Sequence, residues 1–198
     1  MKILLLILVL VVMCSSVARS SDVNDAAAAY DRGNYAQALD LFRVLAVKEV
    51  SFARALGQYF IGRMYNNGEG VAQDYKEAEK WYRKAADQGD ADAQDSLGWM
   101  YMSGEGVTQD FEEAAEWYRT AAKQGLADAK NNLGLMYDNG QGVLQDYILT
   151  HMWYNLSASN GGENKNRDSM AKEMSPAQIA KAQEMARDCK KKKYQSCD

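Results

Sequence analysis

Residues 62–97 read GRMYNNGEGVAQDYKEAEKWYRKAADQGDADAQDSL, and residues 98–133 read GWMYMSGEGVTQDFEEAAEWYRTAAKQGLADAKNNL. Laid over one another they agree at 22 of 36 positions, and a third copy starts at Gly134. The recurring residues are Gly62, Gly98 and Gly134, then Tyr65, Tyr101 and Tyr137, followed by Gly-x-Gly-Val, Gln-Asp and Trp-Tyr at fixed offsets. Self-similarity at a spacing of 20–50 residues is the signature of a solenoid or array, in which each unit buries its apolar face only against its neighbours.

Each constant position has a physical task. Asp74 and Asp110 precede helical segments and cap their free N–H groups, and Glu77 and Glu113, three residues on, are placed to complete a capping box. From there Ala78, Trp81, Tyr82 and Ala85 recur at helical spacing as one apolar stripe. Gly89 and Gly125 end this helix, and a second runs through Ala93, Leu97 and Tyr101 to Gly104. Gly98, inside that second helix, costs about 1 kcal/mol relative to alanine. Its place there makes sense if the missing side chain lets a neighbouring helix come close. The Gly-x-Gly-Val segment forms the turn within each two-helix unit. Two helices per 36 residues predict an all-α solenoid of antiparallel pairs.

Composition agrees. The 198 residues are 47% hydrophobic, yet the mean hydropathy is −0.48, because the hydrophobic share includes 28 Ala and 12 Tyr. A single Pro among so many Ala favours helix. A formal charge of −4 and pI ≈ 5.2 argue against nucleic-acid binding, which needs a basic face. One His and three Cys leave little material for a metal or nucleophile site. No cofactor and no metal are expected.

At the N-terminus, Lys2 precedes an unbroken apolar run from Ile3 to Met13, and small and polar residues follow to Ser20. This is the layout of a secretory signal peptide, too short to span a bilayer. Residues 1–20 are therefore expected to be removed on export, leaving a periplasmic or secreted chain with a charge near −6. Cys14 offers a rival, lipid attachment, but Met13 stands where lipoprotein signals place a small residue; membrane association is expected only through that lipid. After cleavage Cys189 and Cys197 remain, and an even pair in an oxidising compartment reads as a disulfide. It would bound a loop holding Lys190–Lys193, a solvated tail in the plainest reading.

The pattern Leu-Gly-x-Met-Tyr-x-x-Gly-x-Gly-Val-x-Gln-Asp-(Tyr/Phe)-x-x-Ala-x-x-Trp-Tyr-x-x-Ala-Ala resembles the Sel1-like repeat, a relative of the tetratricopeptide repeat. Residues 97–122 fit it throughout. Residues 61–86 fit with Ile61 for the leucine, and the third copy drifts, with Thr150 and Ser157 in place of alanines. Residues 29–39 resemble the tetratricopeptide-like helix turn that opens such chains, and residues 166–183 resemble the closing segment of bacterial members. The implied organisation is tetratricopeptide-like helices over 23–60, Sel1-like repeats over 61–160, and a capping helix with a disulfide tail over 161–198. In that closing part Ser175 caps, Pro176 takes the first helical position and Gln178 completes the box. The implied fold is a right-handed α-solenoid whose first helices line the concave side.

One position varies where its neighbours stay fixed: Arg63, Trp99 and Leu135 occupy it in successive copies. Core positions of a repeat stay constant and binding positions change, so these three are the candidate concave-face residues, with Trp99 suited to a contact hot spot. Trp99 packing across the groove is the competing explanation. Little else suggests chemistry. Ser169-Met170-Ala171-Lys172 matches Ser-x-x-Lys, but the companion motifs of penicillin-recognising enzymes are absent. His151 stands alone, without ligand spacing, and reads as structural; the resemblance to the family implies that it packs against the C-terminal cap. The glycine pairs follow no strand and lack Lys-Ser/Thr, so they read as turns rather than phosphate loops. The expected function is non-enzymatic: a scaffold that binds a protein or peptide partner, in the cell envelope or outside the cell. The alternative is an envelope hydrolase directed at peptidoglycan or a β-lactam.

Overall fold

A computed structural model describes residues 22–158, 164–195 and 197; the expected signal peptide and Cys14 lie outside them. Among the described residues there are helices and no strands, so the all-α expectation holds. None of these helices is long and apolar enough to cross a membrane. The chain divides into two compact units, ending and starting at Gln88 and Gly89. The first holds α1 (residues 22–31), α2 (Tyr35–Leu45), α3 (Ser51–Asn67) and α4 (Tyr75–Ala86). Within it α3 packs against both α2 and α4. Its core gathers Ala29, Leu39, Phe42, Ile61 and Met64, with Phe42 stacked on Phe60 at 4.5 Å. The second unit holds α5 (Ala91–Ser103), α6 (Phe111–Lys123), α7 (Ala127–Asn139), α8 (Tyr147–Ser157), α9 (Lys165–Met170) and α10 (Pro176–Lys191). Here α6 lies against α5 and α7, and α8 against α7, α9 and α10.

The constant Gln-Asp pair joins one helix to the next. The last turn of α5 ends at Gly104, left-handed at φ 79°, whose N–H donates to the Met100 carbonyl at 2.8 Å. Gln109 then reaches back with Nε2 to the Met102 carbonyl at 2.8 Å. Gln73 and Gln145 do the same to Asn66 and Asp138, at 2.7 and 2.6 Å. The Asp110 N–H donates to the Tyr101 carbonyl at 2.9 Å, while its carboxylate accepts from the N–H groups of Glu112 and Glu113. One dipeptide thus satisfies the orphan carbonyls of one helix and the orphan donors of the next. The capping-box expectation is corrected here. The N–H that Glu113 would accept from is already bonded to Tyr101, so its carboxylate accepts instead from Trp117 Nε1 at 3.0 Å. Glu77 pairs with Lys80 at 2.9 Å.

The helical glycines make room for a ring rather than for a backbone. A Cβ added at Gly98 would lie 2.7 Å from two ring carbons of Tyr118, and Gly62 and Gly134 meet Tyr82 and Tyr154 in the same way. Each tyrosine ring lies against a helix at the place where a side chain is missing, and all three are buried. Gly142, at φ 66°, is tighter still: a Cβ there would sit 2.0 Å from the Phe111 carbonyl oxygen. The tryptophan half of each Trp-Tyr pair departs from expectation. Trp153 is fully buried, but Trp81 and Trp117 are only half-buried, on the flank of the stripe rather than in it.

The C-terminal element forms as read. Ser175 and Gln178 make both bonds of the capping box, and Pro176 opens α10. Ala182 and Ala186 are buried, with Ile179 and Met185 packed beside them. Cys189 and Cys197 are joined as a disulfide.

Candidate functional site

The second unit builds its candidate surface from α5 and α7. Asp95 and Trp99 are four residues apart on α5 and share a face, as do Asn132 and Leu135 on α7. Asn132 Nδ2 donates to Asp95 Oδ1 at 3.2 Å and ties the two faces together. Burial pushes the Asp95 carboxyl up to about 6, with Asp128 and Asp92 adding to the effect and the Asn132 bond opposing it. Trp99 is 38% exposed beside it. The Tyr118 hydroxyl is buried without a hydrogen-bond partner among the described residues; burial, then the Asp95 charge, raises its pKa.

A cavity of about 290 Å³ opens where α9 and the turn after it meet α7 and α8. Leu135 and Met170 give its apolar lining, and Asp138 and Glu173 supply two carboxylates. Tyr154 also lines it while only 2% exposed. Burial first, and then Asp138, pushes the Tyr154 hydroxyl up to about 12.

The three varying residues therefore have different surroundings. Arg63, in the first unit, is half-buried with its guanidinium over the Tyr30 ring at 5.0 Å and near Phe60 at 6.0 Å. Tyr30 in turn donates to the Glu69 carboxylate. Trp99 presents an exposed indole, and Leu135 is half-buried at the cavity. Ser169 lines the same cavity, but Lys172 is exposed, whereas a Ser–Lys pair works with its amine withdrawn from water. His151 is 2% exposed on α8, with Nδ1 2.9 Å from Asn155 Nδ2. Burial, then Arg167, lowers its pKa. Among the described residues no three His, Cys, Asp or Glu side chains gather as metal ligands.

Sequence reasoning missed Asp95 and Asn132 as surface-forming residues, and Asp138, Tyr154 and Glu173 as residues that line a cavity. It also missed a buried polar residue that recurs at 36-residue spacing. Gln58 and Gln94 are buried and accept from Gln88 and Gln124, the latter pair at 2.8 Å. In the third copy Lys130 takes this place, 1% exposed, donating to the Gly125 carbonyl at 2.9 Å beneath the Tyr194 ring at 3.8 Å. A polar residue recurring at position 58, 94 and 130 inside an otherwise apolar helix face was the available signal.

Comparison with known proteins agrees with this architecture. Residues 55–90, 91–126 and 127–162 each match the Sel1 repeat, and together they are more than half of the chain. No curated protein matches. Among solved structures, the chain is similar to a Sel1 repeat protein from Oxalobacter formigenes, at 27% identity and a TM-score of 0.61, over 83% of this chain and 74% of that one. It is also similar to a protective antigen present in uropathogenic Escherichia coli strains, which displays an SLR fold. The identity there is 28% and the TM-score 0.56, over 76% of this chain. The present chain spans only 40% of that antigen's length. With three consecutive repeat matches over helix pairs built on the same Gln-Asp junction, the chain belongs to the Sel1 repeat family.

Proposed function

We propose that this protein is a non-enzymatic scaffold that binds a protein or peptide partner through the α5–α7 face of its second unit. The Sel1 repeat is a fold commonly used for protein interaction. The observation that carries the finer reading is Trp99: an indole left 38% exposed at a position that changes in each copy while the glycine before it and the methionine after it stay fixed. Exposed tryptophans supply contact energy when a partner desolvates them. The bond between Asn132 and Asp95 holds the polar surroundings of that indole in place. Leu135 extends the surface toward the cavity. Arg63, already seated on Tyr30, serves its own unit first.

The proposed setting is outside the cytoplasm. Support comes from the short apolar run behind Lys2 and from the disulfide, a bond that persists in oxidising compartments. The test is affinity capture from the producing cell with the chain lacking residues 1–20, wild type against Trp99→Ala, read by mass spectrometry. A partner retained equally by both would refute the assignment of Trp99. The hydrolase alternative is tested in parallel on cell-wall and β-lactam substrates; turnover abolished by Ser169→Ala would replace the scaffold reading.

A further inference from the structure

The cavity between α7, α8 and α9 has a definite electrostatic character. Its charged lining residues are the carboxylates of Asp138 and Glu173; no lysine or arginine lines it. The larger cavity beside the disulfide, about 480 Å³, carries both signs, with Asp146 and Asp188 against Lys181 and Lys192, and so selects no ligand charge. At about 290 Å³ the acidic cavity lies at the bottom of the range for small-molecule sites and matches a single long side chain better than a cofactor. Leu135 and Met170 give an aliphatic stem an apolar wall, and the carboxylates lie along the same lining. Tyr154, 2% exposed, also lines the cavity, and its phenol can both donate and accept a hydrogen bond there.

The lining of the cavity is particular to the third copy. The position of Asp138 is Met102 in the copy before, and α9, short where α7 follows α6, carries Ser169 at the place of Leu133, with Glu173 beyond it at the place of Tyr137. The repeat fold by itself therefore does not require it.

We infer that this cavity is an anchor pocket for a basic side chain, lysine or arginine, of a bound polypeptide, with its stem against Leu135 and Met170 and its cationic head between Asp138 and Glu173. This deepens the scaffold reading and rests on it. A cation with a long apolar stem suits such a site because the stem gains from burial while the head keeps charged acceptors. A cationic anchor would complement the chain's net negative charge of −4.

The test is an NMR titration of the full chain with blocked single amino acids: N-acetyl-lysine methylamide and the arginine equivalent, with Nε-acetyl-lysine, norleucine and glutamate amides as comparators. The expected result is saturable shifts confined to residues around Leu135, Asp138, Tyr154 and Glu173 for the basic amides. Binding should be at least about tenfold weaker for Nε-acetyl-lysine and norleucine, and the Asp138→Asn/Glu173→Gln double variant should lose it while keeping its folded spectrum. Should that variant fail to fold, Glu173→Gln alone, at an exposed residue, should weaken lysine-amide binding several-fold. Equal binding of norleucine, a preference for glutamate, or no saturable shift with any basic amide would overturn the pocket. A free diamine binding at least tenfold more tightly than the lysine amide would overturn the polypeptide as its source. If the pocket fails while Trp99→Ala still abolishes capture, the scaffold reading stands without it; a lysine response with no polypeptide captured would bring the scaffold reading down instead.

Discussion

Replacing Asp95 with asparagine should stabilise the protein at neutral pH and do nothing in acid. In the folded chain burial lifts this carboxyl from 3.8 to about 6. A raised carboxyl pKa means that folding disfavours the charged form, so the native state holds the proton over a pH range where the unfolded chain has released it. The resulting deficit is absent below 3.8, grows between there and about 6, and is fully present above that. Roughly two units at 1.36 kcal/mol each set an upper limit near 3 kcal/mol. Asp95 is partly exposed, and solvent screening brings the expected effect to about 1–2 kcal/mol. Asparagine is nearly isosteric, and its amide oxygen still accepts from Asn132 Nδ2, so the cross-helix bond survives. Urea denaturation of both proteins, from pH 3.5 to pH 8, measures the difference directly. The variant should be more stable at pH 7.5, with the gap closing as the pH falls through 6 toward 4. An Asp95→Asn protein that is less stable at pH 7.5, or one whose advantage is the same at every pH, would refute the reasoning.

Other outcomes follow from the same geometry. Gly98→Ala should cost about 1–3 kcal/mol, because its Cβ would press into the Tyr118 ring at 2.7 Å; an unchanged Tm would mean that the ring shifts freely. Trp99→Ala should lower stability by less than about 1 kcal/mol, whereas Trp117→Ala, which loses half-buried packing and the bond to Glu113, should cost about 2–3 kcal/mol. Equal losses in the two melts would move Trp99 into the core. Thiol titration of the denatured chain lacking residues 1–20 should find no free thiol, and paired Cys189→Ser and Cys197→Ser substitutions should cost about 2–3 kcal/mol by loop-closure entropy. Most of that loss should appear as exchange of the α10 amides, because the bridge fastens only the end of that helix.

The helix junctions were legible at the level of residue type but not of partner. Asp110 was readable as a cap because its side chain acts within its own first turn. Where Glu113 would turn was not, because the competing acceptor for the Asp110 N–H is a carbonyl nine residues earlier, brought close only when the Gly-x-Gly turn closes. Gly98 was readable as a close contact, yet its neighbour proved to be the Tyr118 ring, twenty residues downstream. In the first two copies the halves of the Trp-Tyr pair differ in burial although adjacent, because successive residues on a helix point about 100° apart; in the third, where α9 and α10 also pack on α8, both are buried.

What the sequence determined by itself is the period, and with it the helix pairs, their caps, their order and the family, since all of these depend on local spacing repeated in register. The pairing of Cys189 with Cys197 also followed from counting, once the apolar start was set aside. The tertiary structure alone decided which polar groups meet across helices: Asn132 on Asp95, Lys130 beneath Tyr194, and Asp138 and Glu173 around one acidic cavity. These contacts join residues 35 or more positions apart, and whether a carboxylate ends up solvated, bonded or crowded beside another depends on distance and burial, which the spacing of a repeat does not encode.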